Sequence, residues 1–180
     1  PPRCYRDESH FAALPGLLRD LPERELYNRT GIRTMAINSL SQLRARVLES
    51  AGKPGADHTD VDASSLARAS HLLFMPDLFH FWLSGVRANE ASIASTSQML
   101  HRSGGAWDRE LLSRLNLPHH FLQELVPPGS KLGPVRGEVA AHLGLTEEER
   151  TRLMVVVPAS HDTGSAVAAI PTEGGPPWAF

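Results

Sequence analysis

Residues 152–160 read RLMVVVPAS, a run of consecutive β-branched residues that is apolar throughout. It is the strongest strand signal in the chain, and its lack of alternation predicts a strand buried on both faces. HDTGSAVAAI (161–170) follows directly and reads as a helix of small residues, able to lie close on a sheet. Strand, turn and helix N-terminus thus meet at one corner. In open α/β sheets that corner, at the carboxyl end of a buried strand, is where ligands sit.

Helical patterns fill most of the remaining chain. Leu40, Leu43, Val47 and Leu48 take the spacing of a buried helix face, with Arg44, Arg46 and Glu49 outside. GLLRDLPERELYNRTG predicts two short helices broken at Pro22, the second closed by Gly31. ASHLLFM (69–75) predicts a buried strand. Pro76-Asp77 then opens a helix through Trp82 that stops at Gly85. WDRELLSRLNLP (107–118) predicts an amphipathic helix ended by Pro118, and RGEVAAHLGL (136–145) a short one finished by Gly144. Residues 50–65 are rich in Gly, Ala, Ser and Asp without apolar periodicity and read as a surface loop. The class is α/β, with more helix than strand.

A chain of 180 residues suits one domain, and 41% hydrophobic with 21% charged residues supports a sizeable core. A net charge of −2 gives no basic field for nucleic acid or an anionic membrane. The longest apolar stretch, Leu72 to Leu83, is too short and carries Pro76, Asp77 and His80, so no bilayer span is expected. Cys4 stands alone, which excludes an internal disulfide and agrees with a reducing compartment. The chain opens without Met and stops at GGPPWAF, and it is read as a piece of a longer protein.

The letters DTGS at 162–165 also spell the aspartic-protease signature. That enzyme is nearly all β, whereas the surroundings here are helical and the motif occurs once, so the protease reading fails. Two readings of the corner remain. Asp162 presents its carboxylate to a ligand, or Ser160, Asp162 or Thr163 is simply an N-cap. Geometry alone favours the cap, because caps are far commoner than catalytic aspartates.

The wider sequence shifts that balance. CYRDES (4–9), ELYNRTGI (25–32), NSLSQL (38–43), LLFMPDLFHFWLSG (72–85), NEASIASTSQML (89–100), WDRELLSRLNLP and PASHDTGSAV (158–167) occur in that order. Together they resemble the FGGY carbohydrate kinases, and most closely the rhamnulokinases among them. The resemblance runs over nearly the whole chain, with 50–65 the least similar part.

That resemblance implies part of the N-terminal lobe of an actin-like, ribonuclease H-like sugar kinase, with residues 1–180 a single partial domain. It implies ATP and Mg²⁺ as cofactors, a ketose substrate, most closely L-rhamnulose, and a cytoplasmic setting. Asp162 would be the base that deprotonates the acceptor hydroxyl, with His161 and Thr163 completing the substrate contacts. This suits phosphoryl transfer, which needs positioning, charge neutralisation and one carboxylate near the attacking O–H. Arg6 and Asp7 match a family segment near the sugar pocket, although an Arg-Asp pair is often only a salt bridge. Ser95 to Gln98 read as capping and turn chemistry. Ala91 stands where the family often has an aromatic. The family's first phosphate hairpin and its C-terminal lobe are absent, so the segment alone is expected to be inactive. A non-catalytic sugar-binding or regulatory remnant is the alternative.

Other signals carry less. His119 and His120 are adjacent, so their side chains diverge, and no metal site is expected. Ser160-His161-Asp162 spells a triad in letters only, since three consecutive residues cannot form the relay. Phe79, Phe81 and Trp82 read as core rather than as a sugar-stacking platform.

Overall fold

A computed structural model of the protein describes residues 4–51, 63–103 and 105–171. Among these residues the elements run α1 (Glu8–Asp20), α2 (Glu23–Thr30), α3 (Ser39–Ala51), α4 (Ala63–Arg68), α5 (Met75–Ser84), β1 (Asn89–Glu90), α6 (Ala91–Ser95) and α7 (Arg109–Arg114). They continue with β2 (Leu125–Val126), β3 (Lys131–Pro134), α8 (Gly137–His142), α9 (Glu147–Arg152), β4 (Met154–Val156) and α10 (Asp162–Ala168). Helix outweighs strand, as the pattern predicts.

Asp7 starts α1 by accepting the Ser9 backbone N–H at 2.9 Å, satisfying one of the donors that a helix start leaves open. Pro22 separates α1 from α2, and Gly31 closes α2 in the left-handed region (φ 72°), where a side chain would be strained. The main core joins these helices to the chain around α7. Leu17, Leu21, Leu26, Leu40, Met99, Leu111, Leu112, Leu115, Leu117 and Phe121 are all buried in one cluster.

The strands form two small sheets. β1 pairs parallel with β2, placing Asn89 opposite Leu125 and Glu90 opposite Val126. β3 pairs antiparallel with β4, and Val135, Ala140 and Val155 form a second cluster beside that pair.

Several expectations need correction. β4 is not buried on both faces: Val155 and Val157 are buried, whereas Met154 and Val156 are 40% and 47% exposed. Its antiparallel pairing with β3 gives the one-sided alternation of a sheet with a single covered face. Residues 69–74 form no strand. Leu72 donates its N–H to the Phe121 carbonyl at 2.8 Å, but its own carbonyl accepts from the Asn89 side chain, so no ladder develops. Leu48 is 39% exposed at the rim of the α1–α3 contact, while Arg44 folds inward. Arg44 reaches the Leu115 carbonyl at 2.9 Å and pairs with Asp20. α7 stops a turn before Pro118, because Asn116 takes a left-handed conformation (φ 53°) and Leu117 N–H returns to the Leu112 carbonyl. Phe79 and Trp82 lie on an outward stripe of α5, 53% and 49% exposed and packed edge to face, and are not core.

The flanks of the expected surface loop are helical, since α3 extends to Ala51 and α4 begins at Ala63. Its centre, 52–62, lies outside the described residues.

Candidate functional site

The corner between β4 and α10 is held from several sides. Val157 exchanges backbone bonds with the 129–130 turn: its carbonyl accepts from Gly129 N–H at 2.7 Å, and its N–H donates to the Ser130 carbonyl at 2.9 Å. From the helix side, Ser165 Oγ donates back to the Ala159 carbonyl. Between these anchors the chain turns, and α10 begins with Asp162.

Asp162 occupies the first helical position, preceded by His161 as N-cap, and no side chain makes the capping bond. Ser160 Oγ instead faces the Pro158 carbonyl at 3.3 Å. None of Ser160, Asp162 and Thr163 is the N-cap residue, although Asp162 takes up one first-turn N–H. Asp162 Oδ1 accepts the N–H of Thr163 at 2.7 Å, and the carboxylate side chain is 97% exposed. His161 Nε2 lies 3.9 Å from Asp162 Oδ1, so imidazole and carboxylate share one side of the corner. The Thr163 hydroxyl lies 3.4 Å from the same oxygen. His161, Asp162 and Thr163 are thus brought together at a solvent-facing helix start, where backbone N–H groups and the dipole favour negative charge.

Arg6 and Asp7 lie at the start of α1. Asp7 caps that helix, also accepting from Ser9 Oγ at 2.6 Å, and the exposed Arg6 guanidinium lies over the Tyr5 ring at 5.1 Å. Of Ser95 to Gln98, Ser95, Thr96 and Ser97 turn their hydroxyls onto local carbonyls. The buried Gln98 donates to Thr34 Oγ1 at 2.7 Å and to the Ile32 carbonyl at 3.0 Å. This is the turn chemistry that the sequence suggests.

A buried polar chain behind the corner escaped the sequence reading. Asp77, Asn89 and Glu90 are essentially inaccessible to solvent. Asp77 accepts from Asn89 Nδ2 at 2.7 Å, from Glu90 N–H at 3.1 Å and from Phe74 N–H at 3.2 Å. Burial pushes the Asp77 carboxyl up from its ordinary value, and these bonds only partly oppose it.

Glu90 accepts from Ser92 N–H at 2.7 Å, Ser92 Oγ at 2.6 Å, Ile93 N–H at 3.1 Å and Ser160 N–H at 3.0 Å. Desolvation pushes its carboxyl up as well, but here the bonds from Ser92, Ile93 and Ser160 outweigh it and hold the group below the usual range. Ser92 Oγ also accepts the N–H of His161 at 3.1 Å. The bonds from Ser92 and Ile93 N–H form a local cap of α6. The link to Ser160, seventy residues away, has no sequence signature.

A polar hollow of about 580 Å³ lies apart from this corner, lined by Glu25, Arg29, His101, Asp108 and Glu110 among others. Its acidic side chains are paired: Asp108 binds Arg29 through two nitrogens at 2.7 and 2.9 Å, Glu110 meets Arg29 at 3.1 Å, and Glu25 pairs with Arg114. His119 and His120 do diverge. The first faces Arg109 and Ser113, the second the Ala69 carbonyl. Among the described residues no group of three His, Cys, Asp or Glu side chains is placed to hold a metal ion, and no helix is long and apolar enough to cross a membrane.

The model for the FGGY family of carbohydrate kinases, N-terminal domain, matches residues 12–169. The chain is 34% identical to a rhamnulokinase of Lactiplantibacillus plantarum over 99% of its own length and 32% of that protein's. It is 31% identical to a rhamnulokinase of Halalkalibacterium halodurans over 93% of this chain and 32% of that one. It therefore spans about a third of the length of these relatives. Among solved structures, a xylulose kinase from Lactobacillus acidophilus superposes with a TM-score of 0.67 at 16% identity, covering 86% of this chain and 28% of that one. A gluconate kinase from the same organism gives 0.66 at 18% identity, over 86% and 28%. At these identities the two structures establish the fold alone.

Proposed function

Since the chain belongs to the FGGY family of carbohydrate kinases, we propose that it is the part of an ATP-dependent sugar kinase that supplies the catalytic base and part of the sugar pocket. The observation that carries this is the state of Asp162: an exposed carboxylate at the first helical position, bonded only to its neighbour Thr163, on a corner anchored at Val157, Ala159, Ser160 and His161. L-rhamnulose is the favoured acceptor, supported by the similarity to rhamnulokinases. The protein then takes part in rhamnose metabolism in the cytoplasm.

In this reading Asp162 takes the proton of the sugar's primary hydroxyl as that oxygen attacks the γ-phosphorus of ATP. The bond from γ-phosphorus to its bridging oxygen breaks, leaving ADP and L-rhamnulose 1-phosphate. His161 and Thr163, beside the same carboxylate, bind and orient the sugar. Arg6 and Asp7 are assigned to the wall of the pocket with less support, because Asp7 already caps α1. Mg²⁺ would be held by the phosphates of ATP, the usual habit of this ion, and would supply charge neutralisation on the transferred group.

The 180-residue segment by itself should not phosphorylate a sugar, because it spans only about a third of the length of its kinase relatives. The test is a coupled assay of ADP release by the intact polypeptide carrying this segment, with L-rhamnulose, xylulose, gluconate and glycerol. L-rhamnulose should give the highest kcat/KM, and a preference for glycerol or xylulose would refute the substrate. Asp162→Asn should lower kcat by about 10²–10⁴-fold with the fold intact. An unchanged kcat would refute the base.

A further inference from the structure

We propose that Glu90 is a positioning residue for the reaction: its buried carboxylate, together with Ser92, fixes the peptide that carries Asp162. The inference rests on the reading of Asp162 as the base. It names a residue in another element that acts through it.

The three backbone donors on Glu90 divide into two sets. Ser92 N–H and Ile93 N–H belong to the first turn of α6, and a capping side chain accounts for them. Ser160 N–H comes from the corner itself, seventy residues further along the chain. The bond from Ser92 Oγ to Glu90 orients that hydroxyl so that its lone pairs face the N–H of His161. Two consecutive backbone N–H groups immediately before Asp162 are therefore held by side chains of the β1–α6 junction. A helix cap alone would need neither.

The chemistry calls for a carboxylate. Glu90 Oε1 accepts one donor and Oε2 accepts three. A carboxamide must turn an NH₂ group toward at least one of those donors, because only a deprotonated carboxyl is acceptor-only on both oxygens. Complete burial keeps water from substituting for the lost acceptor. Glu90→Gln thus either releases Ser160 or turns its NH₂ against Ser92 N–H and displaces Ser92, whose hydroxyl holds the N–H of His161, and either result loosens the peptide that leads into Asp162. A displacement of the base by about 1 Å can cost about 10²-fold in rate, since proton transfer depends on near-attack geometry.

The experiment is a cycle of four proteins in the intact polypeptide: wild type, Glu90→Gln, Asp162→Asn and the double variant. Each is assayed for kcat and sugar KM, with folding checked by circular dichroism. Glu90→Gln should lower kcat by about 10–100-fold while sugar KM moves less than about threefold. Added to Asp162→Asn it should change kcat by less than about twofold, because a residue acting only through the base has nothing left to position. Wild-type kcat in Glu90→Gln, or an equal fold loss in both backgrounds, overturns the inference and leaves the base standing. Wild-type kcat in Asp162→Asn overturns the base and this inference together. Should Glu90→Gln fail to fold, Ser92→Ala removes only the hydroxyl between Glu90 and His161. It should lower kcat by about three- to tenfold in the same cycle, and an equal loss in both backgrounds would again refute the positioning role.

Discussion

Replacing Asp77 by Ala should destabilise this fold by about 2–4 kcal/mol, more than replacing it by Asn, because of what its carboxylate accepts. Three donors point at it: Asn89 Nδ2, Glu90 N–H and Phe74 N–H. Ala leaves all three without that acceptor. Phe74 N–H belongs to a half-buried residue at a helix start, which water can reach. Asn89 Nδ2 keeps the Leu72 carbonyl for its other hydrogen. The full penalty therefore falls on Glu90 N–H and one Asn89 hydrogen, at about 1–3 kcal/mol for each buried orphan. Part of that is returned, because the wild type carries the desolvation cost of a buried charge.

Asn retains one oxygen for Asn89 and Phe74 and turns an NH₂ toward Glu90 N–H, so its cost should be about 1–2 kcal/mol. Urea denaturation followed by tryptophan fluorescence measures both variants. At about 2–4 °C per kcal/mol for a domain of this size, Ala should lower Tm by about 5–15 °C. An Ala variant within about 0.5 kcal/mol of wild type, or an Asn variant less stable than Ala, would refute this account of the network.

The ion pair beside α7 separates two roles of one carboxylate. Asp108 both caps the helix, accepting Leu111 N–H at 2.9 Å, and binds Arg29 through two nitrogens. Asp108→Asn should keep the cap and lose the charge pairing, costing about 1–2 kcal/mol, and Asp108→Ala should cost about 1 kcal/mol more; equal losses by thermal denaturation would show that the cap contributes nothing. The pH dependence of stability should also divide by residue. Desolvation raises the Asp108 carboxyl, but the Arg29 and Leu111 bonds outweigh it, so like Glu90 it lies below its ordinary range when folded. Both groups contribute stability that is present above the unfolded carboxylate value of about 4 and lost as pH falls through their folded values. Asp77 has the opposite sign: its contribution is full below about pH 4 and lost as pH rises through its raised folded value, so acidification partly restores stability there. The urea midpoint of Asp77→Asn should therefore fall more steeply than that of wild type as pH falls toward about 4, and parallel curves would refute the sign.

Much of this protein is legible in local sequence. Pro22 and Gly31 bound α2, Pro76 and Gly85 bound α5, and small residues begin a helix at Asp162, because caps and breakers act within a few residues of themselves. The ordered motifs from CYRDES to PASHDTGSAV carry the family for the same reason: each is contiguous. Burial is another matter. MVVV reads as a fully covered strand, but only the pairing of β4 with β3 decides that Met154 and Val156 face outward. The aromatics of α5 read as core until the fold turns Asp77 inward and Phe79 and Trp82 out. Local sequence at the corner favours a cap, and the structure instead gives the N-cap position to His161 and leaves the Asp162 carboxylate exposed, bonded only locally to Thr163. What no window of sequence contains is the bond from Glu90 to Ser160. A hydrogen bond across seventy residues exists only once parallel pairing of β1 with β2 has buried Glu90 and brought its carboxylate under the turn, so the residue that holds the corner is decided by the tertiary structure alone.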